Sequence, residues 1–390
     1  MIHSTDKATQ TDELFDCIVI GAGIAGATVA AELAGTMKVA LLEREDQPGY
    51  HTTGRSAALY TVAYGPPVIR ALTRASGAFF TSPNSAYLTA PLLTKRGAVF
   101  VARKDQVSAL ADLRQELGDA VAPLDANQVG QMVPLLREGY AVAGLYDETA
   151  SDIDVHALHQ HYLRSFKAAA GTLVTKADVT AIERDEGWFV RTTAGTFNAP
   201  IVVNASGAWA DEIAVLAGAA PRGLTPKRRT AMIVNPPQNV EPDSWPMVVD
   251  VEEQFYLKPD AGKLLISPAD VEPSAPCDAQ PDELSVAYCV DRIERAFDLS
   301  VRRIESKWAG LRSFLPSGCP LAAYDEGAPG FFWLAGQGGY GIQTAPALAR
   351  AAAALIQHQP IPEDIAAEGI TANSLCSDKA VLIKKQGAFS

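Results

Sequence analysis

The run DCIVIGAGIAGATVAAELAGTMKVALLE, residues 16–43, constrains this chain more than any other stretch. Cys17–Ile20 is short, rich in β-branched residues and bounded by glycine, the pattern of a strand buried on both faces of a parallel sheet. Gly21 opens a turn that demands an unusual φ. Gly23 carries no side chain to hold a pyrophosphate away from the backbone, and Gly26 lets the helix Ile24–Leu33 lie close to the sheet. Ile24 and Ala25 start that helix, where free N–H groups and a partial positive charge favour an anion. A second strand, residues 38–42, ends at Glu43, where an acid accepts hydrogen bonds from both hydroxyls of a ribose. A lone G-x-G-x-x-G is weak, but strand, turn, helix, strand and acid in order describe a dinucleotide site. An acid in place of arginine also argues against a 2′-phosphate.

The rest of the chain bounds the company this unit keeps. With 390 residues there is enough chain for two or three domains and a large core. A net charge of −12, with no basic run, excludes nucleic acid as the expected partner. Cys17, Cys277, Cys289, Cys319 and Cys376 are odd in number and lack C-x-x-C spacing, which fits neither a disulfide frame nor a zinc site and suits a reducing compartment. The polar start MIHSTDKATQTDE is no signal peptide and no apolar run spans a membrane, so a cytoplasmic location is expected.

Read in order, residues 1–14 resemble a loose tail, and 47–56, QPGYHTTGRS, a loop close to the nucleotide turn. Helices are expected over residues 68–78, 106–117, Ala126–Met132 and 155–170, with Asp152 or Asp154 as N-cap of the last. His156, His159 and His161 lie on that helix at spacings that do not form a ligand set, so no metal is predicted. Strands are expected over 97–101 and 141–146. A meander covers 179–183, Trp188–Thr192 and 195–198. Ile201–Asn204 runs into ASGAWADEIAVLAG, a second strand–glycine–helix junction. From residue 226 the pattern turns to longer β segments, a hairpin with a PDAG turn, a helix over 282–299 and a strand over 302–307. WAGLRSF, the strand Phe331–Ala335 and GQGGYGIQTAPALARAAAALI then return to the first unit, with no periodicity from Asn373 onward. The expected fold is α/β: a Rossmann-like domain (residues 14–95, 146–225 and 308–372) with an inserted antiparallel sheet-plus-helix domain for substrate (96–145 and 226–307), and tails at 1–13 and 373–390.

GAGIAGATVAAEL, HTTGRSAA, NASGAWAD, WAGLRSF and AGQGGYGIQT together resemble the D-amino-acid oxidase superfamily of FAD flavoproteins, nearest to bacterial FAD-dependent D-amino-acid dehydrogenases of the D-arginine dehydrogenase type. The resemblance runs from Asp16 to about Gln359. It implies non-covalent FAD held by Gly21, Gly23, Ile24, Ala25, Gly26, Glu43 and Arg44, with Thr53, Arg55, Ser56 and Ala57 around the flavin and the Val179 backbone near the adenine. Ala205, Gly207 and Trp209 resemble the segment beside the pyrophosphate. Gly336, Gly338, Gly339, Tyr340, Gly341 and Ile342 resemble the loop at the pyrimidine edge, where the following helix N-terminus suits the charge of a reduced flavin.

An amino-acid carboxylate calls for a bidentate fork, which arginine offers. Arg312 and Arg229 resemble the family's carboxylate arginines, with Arg228 a rival to the second. Tyr256 resembles a supporting pocket tyrosine and Tyr64 a mobile lid residue. Met247, Val249, Leu59, Gly339 and Gln343 complete the implied pocket. The implied reaction is transfer of the Cα hydride of a D-amino acid to flavin N5, then hydrolysis of the imino acid to a 2-oxo acid and ammonia, with electrons passing to an unidentified acceptor, a quinone or another, as in a dehydrogenase. No histidine matches a general base, so positioning and amine deprotonation are expected to dominate. Leu59 and Ala98 stand where D-arginine-active relatives carry a histidine and an acid. An apolar pocket without an acid disfavours a cation, which predicts neutral or apolar side chains. Oxidation of a secondary amine such as sarcosine, or of a 2-hydroxy acid, uses the same geometry, and a flavin-binding protein without turnover is the alternative from another class.

Overall fold

The structure, a computed structural model, describes residues 10–376. A six-stranded sheet runs in the order Thr172–Val174, Val39–Leu42, Cys17–Ile20, Ile201–Asn204, Phe331–Ala335, Leu321–Tyr324. Every pairing is parallel except the last. The central strands are buried on both faces, which is why they read as continuous apolar runs. On one face Val19, Val29, Leu33, Leu334 and Leu348 form a core with the helices Ile24–Leu33, Pro67–Thr81 and Gly341–Ile356. On the other, Ile18, Val202, Phe331 and Trp333 pack with Trp188 and Phe197 of the meander. Pro346 interrupts the hydrogen-bond ladder of the helix Gly341–Ile356, and the N–H of Ala347 instead donates to Ser76 Oγ of Pro67–Thr81 at 3.1 Å, joining the two helices.

A second, eight-stranded sheet runs Ile304–Phe314, Thr225–Val234, Lys263–Ser267, Tyr256–Asp260, Met247–Asp250, Ala98–Ala102, Ala143–Asp147, Ala122–Asp125. It is antiparallel but for the parallel pair Met247–Asp250 and Ala98–Ala102. One face is sealed by the helix Glu283–Ala296, through Val248, Leu257, Leu264, Ile266, Ile293 and Phe297. The opposite face, alternate residues on each strand, looks toward the first sheet.

Several expectations are revised. Residues 10–14 are a strand paired in parallel with Gly195–Ala199 and not a loose tail, because the meander offers an open edge there. At the other end, Ala372–Leu375 is a short 3-10 turn capped by the Thr371 hydroxyl, while residues 1–9 and 377–390 lie outside the described residues. The strand expected over 302–307 runs on to Phe314, so WAGLRSF is part of the eight-stranded sheet. Asp154 is the N-cap of Val155–Ala168, accepting from Ala157 N at 2.8 Å. Asp152 serves instead as a half-buried partner of Arg96 and Lys258. On the same helix, His159 donates from Nε2 to the Ala22 carbonyl at 2.9 Å and His161 meets Ser85 through Nδ1. No helix among the described residues is long and apolar enough to cross a membrane.

Candidate active site

A cavity of about 620 Å³ runs from the glycine turn of the first sheet to the open face of the second. Its size falls within the range of small-molecule and cofactor sites, about 300–1,000 Å³. At one end Gly21 turns with φ +97, and a Cβ there would stand 2.6 Å from the Ala205 carbonyl oxygen. Two strand ends therefore meet at backbone contact, and with no side chain at Gly21 or Gly23 a ligand can approach the turn closely. The turn is braced from three sides. Ala22 N–H donates to Glu43 Oε2 at 2.9 Å, His159 holds the Ala22 carbonyl, and Ile24 N–H donates to Thr53 Oγ1 at 2.9 Å. Burial pushes the Glu43 carboxyl above its ordinary value, opposed by the N–H bonds from Glu45 and Ala22. Arg44 stacks on Trp209 at 4.8 Å, and His51, paired with Glu45, packs against the same indole.

In the middle of the cavity the loop 52–57 crosses the strand Ile304–Phe314. Trp308 Nε1 donates to the Arg55 carbonyl at 2.9 Å, and Thr52 Oγ1 donates to the Leu311 carbonyl at 2.8 Å. The Arg55 guanidinium is committed to the carbonyls of Ala279 and Ala309 and to Asp278, so it acts on the loop and offers little to a ligand.

At the far end, alternation puts Arg229 and Ala231 of one strand and Gly310 and Arg312 of its neighbour on the face toward the cavity. Arg229 lines the cavity and Arg228 does not. The Arg229 side chain is only 12% exposed, sits over the Tyr256 ring at 5.9 Å, and leaves Nε and Nη2 buried without a hydrogen-bond partner. Arg312 Nε is likewise unpartnered. Buried guanidinium N–H groups aimed into a cavity are costly unless a ligand accepts from them. Gly339 makes room for Arg312, since a Cβ there would meet Nη1 at 2.9 Å. Gln343 accepts from Thr61 N–H through Oε1, and its Nε2 is also buried without a partner. Met247, Val249, Ala98, Phe100 and Leu59 form an apolar wall beside the arginines. Tyr64 closes the end; burial raises its phenol pKa, Glu253 adding to the rise and Arg312 opposing it.

Of the residues singled out in the sequence, Gly26, Gly336 and Tyr340 stand behind the cavity wall. Gly26 is consumed by packing, since its Cβ would lie 1.8 Å from the Gly21 carbonyl. Gly336 fits against Leu315. Tyr340 turns away to meet Tyr64 edge-on at 5.0 Å and Phe314 at 6.3 Å. Apart from Arg228, the remaining cofactor and substrate candidates all line the cavity. Tyr50, His51, Thr61 and Glu253 line it too and were not singled out. His51 is the first residue of the HTTGRS loop and was legible there, whereas Glu253 sits in a turn, VEEQF, that no motif marks.

The glycine cradle, the acid beside it and the unpartnered donors beyond suit a long dinucleotide whose second ring reaches the arginines. A family model described as FAD dependent oxidoreductase matches residues 16–355. Human mitochondrial dimethylglycine dehydrogenase is 28% identical over 149 residues, 37% of this chain and 17% of its own length. The chain thus spans only a small part of that relative. Glycine oxidase from Geobacillus kaustophilus superposes with a TM-score of 0.77 at 21% identity, over 89% of this chain and 95% of its own. An FAD-bound L-alpha-glycerophosphate oxidase from Mycoplasma pneumoniae gives 0.79 at 20% identity, over 88% and 95%. These two likenesses establish the shared fold.

Proposed function

Because this chain belongs to the FAD dependent oxidoreductase family, we propose that it oxidises D-amino acids to 2-oxo acids and ammonia, with a preference for neutral or apolar side chains. The observation that carries the reading is the pair Arg229 and Arg312, half-buried, each with a buried guanidinium N–H left unpartnered beside an apolar wall. Two forks on one sheet face suit a single carboxylate, each charge-assisted hydrogen bond contributing about 1.5–3 kcal/mol. When bound, FAD supplies the acceptor for the hydrogen and electron pair that leave the substrate Cα. Glu43, the Gly21–Gly23 turn, the loop 52–57 and the segment from Gly338 to Ile342 would hold it without a covalent link.

The chain's own residues then act by placement. Arg312 and Arg229 fix the carboxylate, Tyr256 flanks it and Tyr64 closes over it, so that Cα is presented in one orientation. Met247, Val249, Leu59 and Ala98 exclude water and receive the side chain. The two guanidinium groups favour the amino acid that has lost its amine proton, since that form carries a full negative charge. Handedness and the narrower likeness to D-arginine dehydrogenases rest on the resemblance carried jointly by GAGIAGATVAAEL, HTTGRSAA, NASGAWAD, WAGLRSF and AGQGGYGIQT; the electrons are proposed to pass to a quinone or a similar acceptor.

The test is anaerobic bleaching of the yellow protein by a panel of D- and L-amino acids, with chiral analysis of what remains. Neutral D-amino acids are expected to bleach it fastest. D-arginine in first place would overturn the side-chain preference, and faster bleaching by L-amino acids the handedness. A second reading, oxidation of a small N-methylated amine, is favoured by the name of the human relative; sarcosine and dimethylglycine on the same panel decide it, and 2-hydroxy acids close the comparison.

A further inference from the structure

We propose that Glu253 is a fixed counter-charge that restricts the pocket to substrates bearing a single carboxylate. The inference rests on the reading of Arg229 and Arg312 as the carboxylate anchor. Glu253 lines the cavity, with Oε2 3.9 Å from Arg229 Nη2 and a side chain 46% exposed at the mouth. Its backbone is left-handed, φ +54, which a residue with a Cβ adopts at a cost. That conformation is imposed from below. Asp250, fully buried, accepts from Glu252 N and Gln254 N through Oδ1 at 3.0 and 3.3 Å, and its carbonyl accepts from Glu253 N at 2.8 Å. Gln106 donates to both Asp250 oxygens in turn. The turn therefore fixes the backbone from which the Glu253 side chain reaches Arg229 at the mouth of the pocket.

The charge count gives this placement its meaning. Two guanidinium groups and one carboxylate leave the inner pocket at one net positive charge, which one substrate carboxylate cancels. A second carboxylate would meet Glu253 with no cation left to answer it. The other acids on the wall, Glu43, Asp178 and Glu212, belong to the dinucleotide end, and among the described residues no lysine lines the cavity.

The test titrates the yellow holoprotein with propionate and with succinate, two non-reacting acids, and reads each dissociation constant from the flavin difference spectrum. Wild type is expected to bind propionate the more tightly. Glu253→Gln is expected to shrink the succinate-to-propionate ratio of dissociation constants by about tenfold, consistent with loss of one like charge at close range. Glu253→Asn, which tolerates a left-handed backbone, guards against a refolded turn. A ratio that moves less than about threefold in both variants, or a wild type that binds succinate as well as propionate, overturns the proposal. Propionate binding indifferent to Arg312→Met would instead defeat the carboxylate-anchor reading beneath it.

Discussion

Arg312 packs its guanidinium against Gly339, so the smallest change at position 339 is also the most informative. Gly339→Ala is expected to leave the melting temperature within a degree or two and raise KM about tenfold, because a flexible arginine tip gives way at little cost to folding. Arg312→Met removes the fork itself and is expected to lower kcat/KM by about 100-fold or more, measured against a variant that retains bound flavin. His159 makes a prediction of a different kind. Burial holds its pKa below the ordinary 6.5, so the unfolded chain takes up a proton that the folded protein refuses. Its contribution to stability is complete above that value and is lost as the pH falls below it. His159→Gln, which keeps a donor for the Ala22 carbonyl, is expected to lose fewer degrees of melting temperature than wild type between about pH 7.5 and pH 5.5. Equal losses would assign the acid sensitivity elsewhere. At this scale the sequence was most legible where glycine or arginine answers one chemical need. It was least legible at Glu253, whose significance comes from a turn geometry set by the buried Asp250.

The helix Ile24–Leu33 is the element most tightly tied to its sheet. A methyl group at position 26 would stand 1.8 Å from the Gly21 carbonyl oxygen, and neither backbone can yield without opening the turn. Gly26→Ala is expected to destabilise the flavin-free protein by about 3 kcal/mol and to cost it bound flavin, read as a lowered absorbance ratio of 450 to 280 nm and an earlier urea midpoint. Elements such as Cys17–Ile20, Trp188–Thr192 and Ala126–Met132 were readable because their apolar period and flanking turn residues agree. The two-residue strand Leu59–Tyr60 and the three-residue Leu93–Lys95 were not, because each is a strand only by virtue of pairing with Ser151–Ile153. The parallel pair Met247–Asp250 with Ala98–Ala102 was equally hidden, since nothing local announces a partner so distant in the chain.

For the molecule as a whole, the cavity lies between two sheets that share no hydrogen-bonded strand, so its occupant bridges them. FAD removed by dialysis against concentrated bromide is expected to lower the melting temperature by several degrees. Restoring it at about 100 times its dissociation constant returns about 2.7 kcal/mol. A melting temperature indifferent to FAD would contradict a bridging role. The eleven-residue strand Ile304–Phe314 crosses from the flavin-side loop, held at Trp308, to the substrate end at Arg312. Its side chains alternate, so loss or gain of one residue between those two points would turn the arginine toward the opposite face. Length variants of this segment are therefore viable only in steps of two, and the span from redox ring to anchored acid behaves as a ruler with a fixed unit.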